Sequence, residues 1–84
     1  MSKCHDLKIL RKYFNDVLLG NKTFEIRKND RNFELGDYIN LREWDPDKQE
    51  YTGGHLVKQI CYMTDYQQKD GYVVLGIRPC LCYE

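Results

Sequence analysis

Only one segment of this chain has the hydrophobic periodicity of an α-helix, and this limits the fold more than any other feature of the sequence. In residues 10–20, LRKYFNDVLLG, apolar side chains recur every three or four positions, at Leu10, Tyr13, Phe14, Val17 and Leu18. That spacing places them on one stripe of an amphipathic helix. Gly20 follows, and glycine often ends a helix in the left-handed conformation. The rest of the domain must therefore be built without a second helix.

Most of the remaining sequence alternates between apolar and polar residues, as β-strands do. Turn-forming residues separate the alternating segments, and DPDKQEYTGG, residues 45–54, is the clearest of these turns. The fourth segment is long enough to bend near its middle. We predict five strands, within HDLKIL (5–10), KTFEIRK (22–28), DYINLREW (37–44), HLVKQICYMTDY (55–66) and GYVVLGIRP (71–79).

Five strands and one helix in 84 residues would leave much unpaired sheet edge in an open sheet. Rolling the sheet into a small barrel, with the helix over one opening, removes that edge. The predicted fold class is α+β, mainly β: a mixed β-barrel of about five strands with one capping α-helix. A chain of this length has room for one core, so we expect a single domain over residues 1–84, with its core at about 5–77.

Composition excludes several classes of protein. Lys plus Arg equals Asp plus Glu, 13 each, so the chain is not a polycation, although residues 1–31 carry +4 and residues 32–84 carry −4. No long apolar run or signal peptide is present, and we expect a cytoplasmic protein with no membrane partner. The cysteines, Cys4, Cys61, Cys80 and Cys82, lack C-x-x-C spacing. We therefore expect reduced thiols, with Cys61 in the core, and no metal or other cofactor.

The segment after the helix, GNKTFEIRKNDRNFELGD (20–37), contains the candidate site. On a strand, Thr23, Glu25 and Arg27 lie on one side, opposite Phe24 and Ile26. Lys22, Lys28 and Arg31 surround that polar side. Guanidinium and ammonium groups clustered at a strand end suit a phosphate or a polar base edge. One alternative to a binding site is a solvated β face on which Glu25 pairs with a neighbouring cation. A second alternative is that Glu25 and Lys22 perform acid–base chemistry on a bound substrate.

Aromatic residues are frequent, with seven Tyr and one Trp in the chain. Trp44, Tyr38 and Tyr66 lie at strand ends or at polar positions of strands. A ring there can stack on a nucleobase, or it can pack against the stems of Lys and Arg at a barrel rim. We predict Trp44 as a ligand-binding residue, with the packing role as the alternative.

The segment LLGNKTFEIRKNDRNFELGDYINLREW (18–44) resembles the ASCH-like, PUA-like group of small β-barrels. The similarity is strongest to a bacterial and phage subfamily of unassigned function that shares a K-T-F-E-x-R-K-N-D-R-x-F run followed by G-D and L-x-E-W. The resemblance covers most of residues 5–77. It implies a barrel with one capping helix and RNA binding in a cleft beside that helix. The cleft residues that it implies are Lys22, Glu25 and Arg27, with Lys28 and Arg31 as neighbours.

Three functions follow from the residues and the resemblance together. The first is a monomeric module that binds RNA or a nucleotide-like ligand. The second, implied by the resemblance, is an amidohydrolase of a modified nucleoside, because some small relatives look like amidohydrolases of acylated cytidine that use a Lys, a Thr three residues later and a distant Glu. Here Lys22 is present, but Glu25 stands at the Thr position and Thr23 is displaced by two residues, so catalysis would rest on Lys22, Glu25 and Thr23. The third is a protein-interaction accessory module.

Overall fold

The computed structural model describes residues 2–80. Within this range the chain forms five strands and one helix, which confirms a mainly β domain. No helix among residues 2–80 is long and apolar enough to span a membrane. In chain order the elements are β1 (Cys4–Leu10), α1 (Arg11–Leu18), β2 (Phe24–Lys28), β3 (Tyr38–Asp45), β4 (Glu50–Thr64) and β5 (Tyr72–Pro79).

The five strands form one curled, half-barrel sheet in the order β1-β3-β4-β5-β2. β1 and β3 are parallel, and the other neighbouring strands are antiparallel. β1 and β2 are consecutive strands in sequence, yet they lie at opposite edges of the sheet. The connection through α1 therefore crosses from one edge to the other, and curling brings the two edges to face each other along a seam.

The inner face of the curled sheet holds the apolar core. Residues of β1, β3 and β5 alternate between this face and the outside, as the period of a strand requires. The helix contributes two of the core side chains from one end. The buried apolar residues are Leu7, Ile9, Phe14, Val17, Phe33, Ile39, Leu41, Ile60, Val73, Leu75 and Ile77.

The helix is shorter than its sequence pattern, because it starts directly after β1 and ends at Leu18. Only Phe14 and Val17 of the predicted stripe are buried, whereas Leu10, Tyr13 and Leu18 are 39–56% exposed. The apolar stripe was therefore predicted too wide. Gly20 has a φ of +82°, which confirms the predicted left-handed end.

Two bulges bend β4, as its length suggested. At the first bulge, three residues of β4 (52–54) lie opposite Glu43 of β3. Because β4 already begins at Glu50, the turn in the structure is shorter than the predicted turn DPDKQEYTGG. At the second, Cys61 lies between the paired residues Ile60 and Tyr62 and leaves the ladder. Cys61 is exposed, so its predicted core position is wrong. Cys82, which is predicted to be a reduced thiol, lies outside the described residues.

Candidate functional site

β2 is inverted with respect to the usual amphipathic strand. Glu25 pairs with Leu75 of β5, on the inner face of the sheet, and is only 4% exposed. Phe24 and Ile26 point outward and are 43% and 52% exposed. The alternative of a solvated polar face is therefore wrong for Glu25, whereas its predicted pairing with neighbouring cations is confirmed. Inward-pointing charge also protects an edge strand against pairing with other chains, so this inversion has a structural use as well.

Two cations share the buried carboxylate of Glu25. Lys22 Nζ donates to Glu25 Oε2 and, at 2.7 Å, to the backbone carbonyl of Phe24. Arg27 donates to Glu25 Oε1 from Nε at 3.2 Å and from Nη2 at 3.0 Å. The Lys22 and Arg27 side chains remain 18% and 24% exposed. The structure thus brings three predicted site residues into one cluster, whose cations still reach solvent.

A hollow of about 480 Å³ opens beside this cluster, between β1, the start of α1 and β2. Apolar side chains form much of its wall, and its charged groups come from both sheet edges, with Lys8 on β1 and the others on or just before β2. Three cations and one carboxylate line it, which leaves a net charge of +2. The residues that line the hollow are Lys8, Ile9, Leu10, Tyr13, Lys22, Phe24, Glu25, Ile26 and Arg27.

Arginine side chains bridge the seam between the two sheet edges. Arg27 Nη2 donates to the carbonyl of Lys8 at 2.7 Å, and Arg31 Nη1 donates to the carbonyl of Asp6 at 2.6 Å. These carbonyls belong to the edge strand β1. Arg27, Lys28 and Arg31 also line a smaller depression of about 150 Å³, which Asp30 shares. Lys28 and Arg31 are therefore neighbours of the hollow and not part of its wall.

The structure separates two other predicted site residues from the hollow. Thr23 is exposed, and its carbonyl accepts a hydrogen bond from Ile77 N–H at 3.0 Å. Trp44 lies on the outer face of β3, where Lys8 Nζ is 4.0 Å from the centroid of its ring. Lys8 thus contacts Trp44 and also lines the hollow.

Sequence reasoning missed Lys8 and Tyr13 as wall residues. Lys8 lies on a strand at the opposite edge of the sheet, and only the curl brings β1 close to β2. Tyr13 was assigned to the core stripe, but it is 40% exposed and lies 5.7 Å from Lys22 Nζ, measured from its ring centroid. The one feature of the sequence that could have indicated exposure of Tyr13 was its position at the edge of the apolar stripe of the helix.

Two buried carboxylates outside the hollow hold the framework together. Burial alone would raise the pKa of Asp37, but hydrogen bonds from His5 and from the backbone N–H groups of Lys3 and Glu34 lower it overall. Asp45 accepts hydrogen bonds from the N–H groups of Lys48 and Asp47, and the Lys48 bond contributes most to lowering its pKa. Arg11, at the start of α1, pairs with Asp45 at 3.3 Å and so connects the helix to the end of β3.

Comparison with known families identifies the domain. A family model described as "Domain of unknown function (DUF3850)" matches residues 4–77. The chain belongs to this family. The match extends from β1 into β5 and includes all residues that line the hollow.

Among curated proteins, the DUF3850 domain is similar to the "Uncharacterized 12.9 kDa protein in GpA 3′region" of Escherichia phage P2. The two are 41% identical over 76 residues, which is 89% of this chain and 68% of the relative. Neither the family description nor the name of the relative states a ligand. The geometry of the hollow is therefore the main basis for a functional proposal.

Proposed function

We propose that this DUF3850 domain is an RNA- or nucleotide-binding module that uses the hollow beside α1. The observation that carries the proposal is the convergence of Lys22 and Arg27, with Lys8 nearby, on a concave wall that contains a single carboxylate. Both oxygens of Glu25 are occupied, yet the wall keeps a net charge of +2. A phosphate group is an anion that guanidinium and ammonium donors bind well in this arrangement.

The shape of the hollow is compatible with this ligand class. Its volume of about 480 Å³ lies within the range of small-molecule sites. Tyr13 and Phe24 offer rings beside the cations, so a nucleobase and its phosphate can be bound side by side. The resemblance to ASCH-like domains supports the same cleft, and we place the domain in the cytoplasm as a monomer.

RNA binding can be tested by titrating short single-stranded and structured RNA oligonucleotides at low salt. We expect the logarithm of affinity to fall linearly with the logarithm of salt concentration. For a single strand each phosphate contact contributes a slope of about 0.7. Lys22→Met should weaken binding and flatten that slope by about 0.7.

Lys58→Met is a matched control, because Lys58 is also half-buried but does not line the hollow. We expect its affinity and salt slope to equal those of the wild type. Undetectable binding of every oligonucleotide at low salt would overturn the proposal. An identical loss in both variants would show that only overall charge matters.

Hydrolysis of an acylated nucleoside is a second candidate function, favoured by the direct contact of Lys22 with the buried carboxylate of Glu25. The position of Thr23 outside the hollow counts against it. A mass-spectrometric screen of acylated nucleosides should then detect product that Lys22→Met abolishes in a folded protein. Absence of product from every substrate would remove this candidate.

A further inference from the structure

The outer face of β1, β3 and β4 carries a second cluster, made of two aromatic rings and two cations. Trp44 and Tyr51 are paired across β3 and β4, with ring centroids 4.9 Å apart and ring planes at 80°. Lys8 Nζ lies 4.0 Å from the Trp44 centroid, and the guanidinium carbon of Arg42 lies 4.0 Å from the Tyr51 centroid. Each ring thus has its own cation on an exposed sheet face.

A chain of hydrogen bonds orients His55 next to these rings. Asn40 Nδ2 donates to Asp6 Oδ1 at 3.2 Å, and Asn40 Oδ1 lies 3.1 Å from His55 Nδ1. A carboxylate only accepts hydrogen bonds, so the amide nitrogen of Asn40 must face Asp6 and its oxygen must face His55. His55 Nδ1 therefore carries a hydrogen, and among residues 2–80 its Nε2 has no hydrogen-bond partner.

The first bulge of β4 opens a notch between His55 and Tyr51. Gly53 has a φ of +96°, a conformation that side chains with a Cβ rarely adopt, and, apart from its chain neighbours, no heavy atom of residues 2–80 lies within 4 Å of the position that its Cβ would take. The notch has a volume of about 190 Å³ and no carboxylate in its wall. The residues that line it are Asn40, Arg42, Tyr51, Gly53, Gly54 and His55.

We propose that this notch binds an unpaired nucleobase of a single-stranded nucleic acid and extends the binding site beyond the hollow. Arg42, held over Tyr51, offers a planar group on which a base can stack, as arginine does in single-strand recognition. His55 and Asn40 supply polar atoms for the edge of that base.

Lys8 makes the two sites continuous. It lines the hollow and also covers Trp44 on the outer face, so a strand leaving the hollow meets a cation before it reaches the notch. This inference rests on the proposed function for the phosphate-binding end. If the inference is correct, the preferred ligand is an oligonucleotide long enough to occupy both the hollow and the notch, rather than a mononucleotide.

The test compares uridine 5′-monophosphate with single-stranded oligouridylates of increasing length, and a parallel series of thymidylate DNA. Affinity of the wild type should rise with length in at least one series. Tyr51→Ala removes the ring that holds Arg42 in place, so the base loses its stacking surface and affinity for the longer oligonucleotides should fall by about fivefold or more. It should leave mononucleotide affinity unchanged, because Tyr51 does not line the hollow.

Tyr72→Ala is the matched control, since Tyr72 and Tyr51 are 38% and 39% exposed and both lie on the outer face of the sheet. It should bind every oligonucleotide as the wild type does. If Tyr51→Ala does not fold, His55→Ala removes another side chain from the same notch and should show the same length-dependent loss.

The outcomes separate the two proposals. Oligonucleotide affinity that is equal in Tyr51→Ala, His55→Ala and wild type would overturn the notch while leaving nucleotide binding in the hollow intact. A length-dependent loss in Tyr51→Ala, together with normal binding by Lys22→Met, would support the notch and overturn the hollow. No binding to either series by the wild type would overturn both.

Discussion

Replacing Glu25 by Gln changes the centre of the hollow without changing its shape. Glutamine keeps one acceptor oxygen, but its NH₂ group must face either Lys22 or Arg27, so one cation loses its partner and meets another donor. Breaking a fully buried pair costs about 3–5 kcal/mol. Because the two cations keep 18% and 24% exposure, water compensates part of this loss, and we expect a free energy of unfolding lower by about 2–3 kcal/mol.

The same substitution should make the protein respond more strongly to phosphate. Glu25→Gln raises the net charge of the hollow and frees a cation for an external anion. Phosphate that binds only the folded state stabilises it by about 1.4 kcal/mol at ten times its Kd. Thermal unfolding in phosphate and in chloride at matched ionic strength measures this effect. We expect a larger phosphate-dependent rise in Tm for Glu25→Gln than for the wild type.

Asp37→Asn provides the matched control. Asp37 is a buried carboxylate, 1% exposed, and also accepts several hydrogen bonds, but it does not line the hollow. This variant should lose stability and gain no extra response to phosphate. An equal phosphate shift in both variants would refute the argument that the freed cation faces an accessible site. A Tm of Glu25→Gln equal to that of the wild type would refute the argument that the ion pairs of Glu25 stabilise the fold.

Two further predictions concern the framework. The pKa of Asp37 is lowered from its ordinary 3.8, so the ionised carboxylate stabilises the folded state. This contribution should be complete above about pH 5 and lost as the pH falls below that value. The free energies of unfolding of wild type and Asp37→Asn, measured in urea, should therefore differ at neutral pH and converge in acid. Gly54→Ala places a Cβ 2.8 Å from Glu43 Oε1, so the Glu43 side chain must move and give up its hydrogen bond from Thr52. We expect the free energy of unfolding to fall by about 1 kcal/mol, with no loss for an alanine in the exposed turn at Lys48.

Much of the fold was predictable because its signals are local. The single helix followed from the spacing of residues such as Phe14 and Val17, and its end followed from Gly20. The alternation of Ile39 and Leu41 with polar neighbours gave β3 its correct inner face. These assignments depend only on the periods of helix and strand, which neighbouring residues determine.

The site was only partly predictable, because it depends on which strands meet. Alternation in β2 separated Glu25 from Phe24, but it did not indicate that the charged side faces inward. That orientation follows from pairing with β5, where Leu75 and Val73 fix the inner face. Lys8 could not be placed at all, since its contact with the hollow arises only when the sheet curls.

Arg27 is the residue in which structural and binding roles are hardest to separate. It neutralises Glu25, and it also bridges the seam through the carbonyl of Lys8. Two substitutions divide these roles. Arg27→Lys keeps the charge but cannot reproduce the planar fork that reaches both acceptors. Arg27→Met removes the charge and keeps an apolar stem.

If the hollow binds phosphate mainly through charge, Arg27→Lys should retain the wild-type salt slope for RNA, while its free energy of unfolding falls by about 1 kcal/mol for the lost seam hydrogen bond. Arg27→Met should lose the same seam bond and also flatten the slope by about 0.7. Equal slopes in the two variants would mean that Arg27 does not contact phosphate. In that case the anion would be bound by Lys22 and Lys8, and Arg27 would act only in joining β2 to β1.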